Sequence, residues 1–375
     1  MAKIVNICDV CSEIFAGGDA PKGNMSETKT EEYNIPIYAN GEANEGLYGY
    51  TNKARVTKPS ITVSARGTIG YTAIRPTPFV PIVRLITLTP NPELIDIKYL
   101  YYAAQNYKFD GSGTSIPQLT VPSLKKYSFP LPAMEEQAHI VMILDNVCDL
   151  IDQKKQQLEL LDELVKSQFI ELFGDLHSTN FPKCKMADIC GITHGYGFSG
   201  EFFAEEDNNI LLVTPGNFKV GGGFQEKKCK FFTGEYSKEY VLNSGDLIVT
   251  MTDLSKNMDT LGYSAIVPHT DRVYLHNQRI GLFVNMSEKI NRVFLMYFMQ
   301  TKEYRDSIIA SATGSTVHHT SPSKILDSDM FVPPIELQEQ FAAFVEQTDK
   351  SKLAVQQSIA ELEELKKSLM QKYFG

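Results

Sequence analysis

A stripe of apolar residues repeating every 3.5 positions, written twice and 201 residues apart, constrains this chain more than any other feature. In the first copy Ile140, Leu144, Val147, Ile151, Lys154, Leu158, Leu161, Val165, Gln168 and Leu172 step by four and three, and eight of the ten are apolar. Adding 201 gives Phe341, Val345, Thr348, Lys352, Val355, Ile359, Leu362, Lys366, Leu369 and Tyr373, seven of ten apolar. A 3.5-residue period held over about five heptads is a coiled-coil pattern. Each helix would hold roughly 37 residues and reach roughly 55 Å at 1.5 Å per residue. A stripe that long needs a partner to bury it, and the other copy is at hand. The alternative is two unrelated helices, each docked on its own domain.

The copies match in more than pattern. Leu161, Glu163, Leu164, Lys166, Ser167, Phe173 and Gly174 meet Leu362, Glu364, Leu365, Lys367, Ser368, Phe374 and Gly375, all identical. Upstream, FPLPAMEEQ (129–137) resembles FVPPIELQEQ (331–340), both proline turns leading into a helix start. The repeat continues weakly into the regions between: GYTAI (70–74) with GYSAI (262–266), KYLYYAAQN (98–106) with RVFLMYFMQT (292–301), and GSGTSIPQLT (111–120) with SATGSTVHHT (311–320). The chain therefore divides into a globular part over 1–134, a long helix over 135–175, a second globular part over 176–334 and a second long helix over 335–375. Short β-rich runs, SITVSARG (60–67), VPIVRLITL (80–88), NILLVT (209–214) and DLIVTM (246–251), are punctuated by Gly, Pro and Asn. One helical stretch is expected in each globular part, near 93–106 and 287–302.

With 375 residues and no apolar run of roughly 18, the chain reads as two globular domains that do not enter a membrane. The amino terminus, MAKIVNICDV, lacks the pattern of a secretion signal, and a chain this long needs no disulfide staples, so its six cysteines are expected as reduced thiols in a cytoplasm. Cys8 and Cys11 have zinc-ligand spacing but no nearby second pair, which favours small buried side chains over a metal site.

The net charge of −9 speaks against nucleic acid until it is partitioned. Residues 135–175 carry 3 basic and 10 acidic side chains, and 335–375 carry 5 and 7, so the helices hold the whole excess. Residues 47–134 carry 10 basic and 3 acidic side chains, a plausible phosphate-facing surface, although ordinary solvated loops would look the same. Catalytic machinery is missing. No phosphate-binding G-x-x-x-x-G-K-[ST] loop and no G-x-S-x-G elbow occurs. The pair of prolines in FVPPI does not match the adenine-methyltransferase loop, and GGGF (221–224) reads as an ordinary loop.

Two globular units, two matched helices and no catalytic motif resemble the specificity subunit of a type I restriction–modification enzyme over essentially the whole chain. The resemblance is carried by VSARGTIG (63–70), GTSIPQL (113–119), FPLPAMEEQ (129–137), ELVKSQFIELFGD (163–175), NQRIGLF (277–283), VPPIELQEQ (332–340) and ELEELKKSLMQKYFG (361–375). It implies an α+β fold: two mixed α/β target recognition domains separated by two long antiparallel coiled-coil helices, related by a pseudo-twofold axis. It implies a non-catalytic chain in which each domain reads one half of a split site in double-stranded DNA. The helices would dock two adenine-methyltransferase subunits and, through them, the restriction subunits. S-adenosylmethionine would sit on the methyltransferases, and ATP and Mg on the restriction subunits, with no cofactor in this chain. A ~55 Å spacer covers at most about 16 base pairs at ~3.4 Å each.

Base readout needs Arg, Lys, Asn or Gln at base edges, whereas phosphate contacts only position. The candidates in the first domain are Lys53, Arg55, Lys58, Arg66, Thr114, Ser115 and Gln118. Those in the second are Lys219, Lys227, Lys228, Lys230, Gln278, Arg279, Thr316, His318 and His319. Arg66 and Arg279 lie in motifs that could equally brace their own loops. The second domain replaces SARGTIG with the longer TMTDLSKNMDTLG (250–262), so its contacts do not follow from the first by simple offset. The competing readings are a scaffold or regulatory protein that dimerises through its coiled coil without touching DNA, and a self-sufficient methyltransferase.

Overall fold

A computed structural model describes residues 2–107, 118–227 and 229–375. The chain forms two compact units, Met1–Gln156 with Val355–Gly375, and Gln157–Ala354. Seven α-helices lie among the described residues: α1 (Ile97–Asn106), α2 (Val121–Leu124), α3 (Met134–Phe173), α4 (Arg292–Phe298), α5 (Lys302–Ser311), α6 (Pro322–Leu326) and α7 (Ile335–Phe374).

Unit 1 is built on a four-stranded antiparallel sheet in the order Cys11–Ala16, Ile86–Pro90, Ser60–Val63, Thr72–Arg75. Three further strands, Leu47–Thr51, Ile35–Tyr38 and Val80–Pro81, form a second sheet whose last pair is parallel. Lys3–Asn6 pairs with Ser128–Leu131. α1 begins where Asp96 accepts from the backbone N–H groups of Lys98 and Tyr99. It buries Tyr99, Leu100 and Ala103 against Ile61, Val63, Ile86 and Leu88, and the same core takes in Ile140, Val141 and Leu144 from α3 and Met370 and Phe374 from α7. The Tyr99 and Phe374 rings lie 4.9 Å apart.

Unit 2 repeats this plan. Its four-stranded sheet runs Gly191–His194, Ile280–Val284, Leu247–Thr250, Ser264–Ile266, and its second sheet has five strands, again with one parallel pair, Ile210–Val213 with Val273–His276. Lys183–Lys185 pairs with Asp329–Phe331. α4 starts on Asn291, which accepts from the N–H groups of Val293 and Phe294. Its core gathers Val165, Phe169 and Phe173 of α3, Phe341 and Val345 of α7, and Phe294 and Phe298 of α4.

The two long helices run antiparallel within each unit. In unit 1 the end of α7 (Met370, Phe374) shares a core with the start of α3 (Ile140, Leu144). In unit 2 Phe173 and Phe341 are 5.6 Å apart, and Lys352 on α7 pairs with Asp162 on α3 at 2.6 Å. All twenty positions of the 3.5-residue stripes are buried or half-buried. Between 149 and 164 every other position on α3 is exposed. Each helix has 40 residues, or about 60 Å.

At the base of each long helix a buried glutamine locks helix to sheet domain. Gln137 accepts from Asp96 N (2.9 Å) and donates to the carbonyls of Leu94 (3.1 Å) and Pro132 (2.9 Å). Gln338 accepts from Asn291 N (2.9 Å) and donates to Lys289 (2.9 Å) and Pro333 (2.7 Å). The two residues are 201 apart, like the seam.

Several expectations are corrected. The compact units cut through both long helices, because the helix ends complete the sheet-domain cores; the four-part division by sequence follows secondary structure instead. VPIVRLITL is not one strand: Val83 and Arg84 both take left-handed backbone (φ 52° and 63°), and the pieces Val80–Pro81 and Ile86–Pro90 join different sheets. The strand in SITVSARG ends at Val63. The helical stretch near 287–302 is broken, since α4 ends at Phe298 and α5 begins after Thr301, whose backbone is extended (ψ 152°). Of the six free cysteines only Cys190 is fully buried; the others are half-buried, and burial pushes the Cys11 thiol up to about 12.

Candidate nucleic-acid interface

In unit 1 the hairpin loop after Ser60–Val63 is closed by Ser64 N on Tyr71 O (2.8 Å) and Gly70 N on Ser64 O (3.0 Å). Gly70 has φ 88°, a conformation glycine adopts without strain. Leu119 N bonds Ala65 O (2.9 Å) and brings the segment before α2 alongside the loop. The left-handed turn at Val83–Arg84 is held by Val83 N on Gly18 O (2.7 Å). Asn40 ties the two loops, donating to Val83 O and accepting from Ala65 N.

Three side chains meet at this junction. Gln118 Oε1 accepts from Arg66 Nε (3.1 Å), Arg66 Nη2 (2.8 Å) and Arg84 Nη1 (3.2 Å). Arg84 is exposed, and Arg66 and Gln118 are half-buried. Arg55 stacks on Phe15 with its guanidinium 4.5 Å from the ring centroid and lies beside Gly18. Among the described residues neither Arg66 nor Arg84 has a carboxylate partner, and the two place two positive charges on this rim.

Unit 2 builds the same junction from the same backbone bonds. Thr250 N bonds Tyr263 O (3.0 Å), Gly262 N bonds Thr250 O (2.9 Å), Thr320 N bonds Met251 O (3.0 Å) and Gln278 N bonds Tyr196 O (2.9 Å). These bonds make Thr252, Arg279 and His319 the equivalents of Arg66, Arg84 and Gln118. Thr252 Oγ1 lies 3.2 Å from His319 Nδ1, as Arg66 lies on Gln118. Thr252, Arg279, Gln278 and Lys230 line one cleft of about 350 Å³, with Lys230 Nζ 5.4 Å from the Phe203 ring centroid. The loop beyond Thr252 is held by Asp253, which accepts from Ser255 N, Thr260 N and Thr260 Oγ1. Burial would raise the Asp253 pKa, but these bonds outweigh it and hold the carboxyl below its usual value.

The structure thus brings together Arg66 and Gln118 in unit 1, and Lys230, Gln278 and Arg279 in unit 2, with His319 joined through Thr252. Lys53 and Lys58 stand exposed on the segment between Leu47–Thr51 and Ser60–Val63. Lys219 lines a different cleft, with Asp162, Asp349 and Lys352. Lys227 and Thr316 are exposed; His318 is half-buried in a short strand paired with Asp253. Thr114, Ser115 and Lys228 lie outside the described residues. Arg84 and Thr252 were not candidates by sequence. Laying 83–90 on 278–285 aligns Arg84 with Arg279 and would have found the first. The pairing of GSGTSIPQLT with SATGSTVHHT is off by one: Leu119 corresponds to Thr320, and the helix caps Thr120 and Ser321 correspond. Among the described residues no three His, Cys, Asp or Glu side chains converge as metal ligands, and no helix is long and apolar enough to cross a membrane.

The family model described as type I restriction modification DNA specificity domain matches residues 2–161 and again residues 180–364. The chain belongs to this family. Among relatives of the specificity-domain family, the MjaIX specificity subunit of Methanocaldococcus jannaschii is 24% identical over 388 residues, covering 96% of this chain and 86% of its own. The MjaVIII specificity subunit of the same organism is 24% identical over 310 residues, covering 76% and 71%. A Mycoplasma pneumoniae protein provisionally named a type I specificity subunit is 34% identical over 166 residues, and there the match spans about half of each chain, 44% and 49%. The fold is that of the crystallised S subunit of a type I system from M. genitalium (TM-score 0.56, 16% identity, 100% and 96% covered). A chain from a study of type I complex assembly and conformational transition has a TM-score of 0.60 at 14% identity, with 99% and 97% covered.

Proposed function

We propose that this chain is the non-catalytic DNA-recognition subunit of a cytoplasmic type I restriction–modification enzyme, reading a split site in double-stranded DNA with one half-site per unit. One observation carries the reading. The same junction of loops is built twice, from equivalent backbone hydrogen bonds, and filled with different side chains: Arg66, Arg84 and Gln118 in one unit, Thr252, Arg279 and His319 in the other. A scaffold has no use for a duplicated cationic rim whose chemistry has been changed. The competing idea of a coiled-coil dimer is weakened, because the stripe of each helix is already buried or half-buried within the chain.

The long helices are proposed to dock two identical methyltransferase subunits, which would hold S-adenosylmethionine, and through them restriction subunits using ATP and Mg. Four of the seven identical pairs, Glu163/Glu364, Leu164/Leu365, Lys166/Lys367 and Ser167/Ser368, are exposed in both copies. Packing does not explain their identity; two copies of one partner binding equivalent faces would. Leu164 is 48% exposed and Leu365 46%. Helix length, about 60 Å, is proposed to set the gap between half-sites.

Two measurements test this reading. Mapping methylated adenines in the genome of cells carrying the chain and its methyltransferase should return one sequence split by a fixed gap; methylation without a split motif would refute it. Leu164→Glu should convert a complex of two methyltransferases per chain into one with a single methyltransferase by native mass spectrometry. Adding Leu365→Glu should leave the chain alone. An unchanged stoichiometry in both variants would exclude these faces.

A further inference from the structure

We infer that positions 84 and 279 are equivalent guanine-reading positions, one per half-site, and that the pairs 66/118 and 252/319 beside them set how the two half-sites differ. The inference rests on the two-half-site reading above and adds to it which residues read and what they read.

The chemistry of the first rim is one-sided. Gln118 Oε1 is taken up by three N–H donors from Arg66 and Arg84. Its amide nitrogen, the other end of the same group, carries only donors. Arg84 spends one of its N–H groups on Gln118 and is otherwise exposed. What the rim offers a ligand is therefore an array of donors with two positive charges, and among the described residues no carboxylate neutralises it. In the major groove guanine presents two acceptors, N7 and O6, side by side, and an arginine fork spans both. Adenine and cytosine each set an amino donor against such an array, and thymine has only one acceptor beside its methyl group. The left-handed backbone at Val83 and Arg84 projects the arginine from a tight turn pinned to Gly18 and Asn40, which restricts where its fork can go.

The second rim keeps the arginine and changes its neighbours. Thr252 and His319 both donate and accept, and each takes up part of the other's capacity at 3.2 Å. The guanine contact of Arg279 is retained, while the base beside it meets the exposed His319 ring, which can donate or accept and is held by the buried Thr252, in place of a donor-only pair. The half-sites should share a guanine at the equivalent position and differ next to it.

The test uses the full chain in complex with its methyltransferase, selecting from a library of randomised DNA duplexes. The wild-type complex should enrich a split sequence with a guanine in each half. Arg84→Gly removes the side chain at a backbone position glycine adopts freely, and Arg84→Lys keeps the charge without the fork. Both should lower the guanine preference in one half-site roughly 10- to 100-fold and leave the other half-site unchanged. Arg279→Ala should do the same to the other half alone. Arg66→Thr with Gln118→His should shift the neighbouring base of the first half-site toward that of the second. If Arg84→Gly does not fold, Arg84→Lys decides. The inference is overturned if the selected base is not guanine. It is also overturned if the Arg84 variants weaken all duplexes alike with a salt slope shallower by about one, the mark of a phosphate contact. A wild-type complex that enriches no split sequence would refute the two-half-site reading itself, a distinct outcome.

Discussion

The bases of the long helices and the loops of the two junctions were duplicated together, and only one of the two has been left alone. Gln137 and Gln338 make the same three bonds to corresponding groups, 201 residues apart. At the loop junctions the loops are closed by the same backbone bonds, yet five residues (65–69) lie inside the first closure and eleven (251–261) inside the second. Offsets tell the same story: 186 at the start of these loops, 192 at their end, 195 at Arg84 and Arg279, and 201 from the caps of α2 and α6 onward. Insertions were tolerated in the junction loops and excluded at the helix bases. A seam has to match over its whole length, whereas a loop needs only its two ends fixed.

This contrast predicts that damage to the holding parts is large and alike in both units. The largest effect is expected from Leu158→Asp together with Leu161→Asp. Both leucines sit in the α3 seam, and unpartnered charge there should cost several kcal/mol, on the order of 4. Urea denaturation should show a loss of that size. A double variant as stable as the parent would mean that the stripe is not a buried seam. Next come the two glutamine locks. Gln137→Leu and Gln338→Leu each strand two backbone carbonyls and one backbone N–H, at about 3 kcal/mol. The two losses should agree within about 1 kcal/mol, and a clear inequality would break the equivalence of the two junctions.

Periodic features were legible in the sequence and long-range ones were not. All twenty seam positions could be named because helix burial depends on local spacing alone. The helix starts were marked by their prolines. Arg84 was hidden because Val83 and Arg84 take left-handed backbone without a glycine or asparagine to announce it, inside a run that looks like an unbroken strand. Thr252 and His319 meet only because strands 67 residues apart pair, a register that no local pattern encodes. Gln118 was a candidate as a loop polar residue, but its tie to two arginines depends on Leu119 bonding Ala65, more than fifty residues away.

Damage to the loop junction should stay in one unit, and the longer loop of unit 2 is where that can be measured most finely. Arg305 on α5 braces this loop by donating to the carbonyls of Leu261 and Met258 and stacking on Tyr263, 3.9 Å from the ring centroid. Arg305→Met should cost about 2 kcal/mol and raise amide exchange across 251–261 while leaving 65–69 unchanged. Equal loosening of both loops would mean that they are not independently braced. The smallest effect is a pH dependence. Asp253 has a folded pKa held below its ordinary value, so the hydrogen bonds that order the loop stabilise it fully above the normal aspartate range. That contribution is lost as pH falls through the depressed folded value. Amide exchange in 253–260, compared with a neutral-pH reference, should therefore rise only under acid conditions. Asp253→Asn should remove this acid step in unit 2 without altering the loop of unit 1, which contains no carboxylate among residues 65–69. An acid step that survives the substitution would assign the ordering of this loop to Arg305 and the strand ends alone.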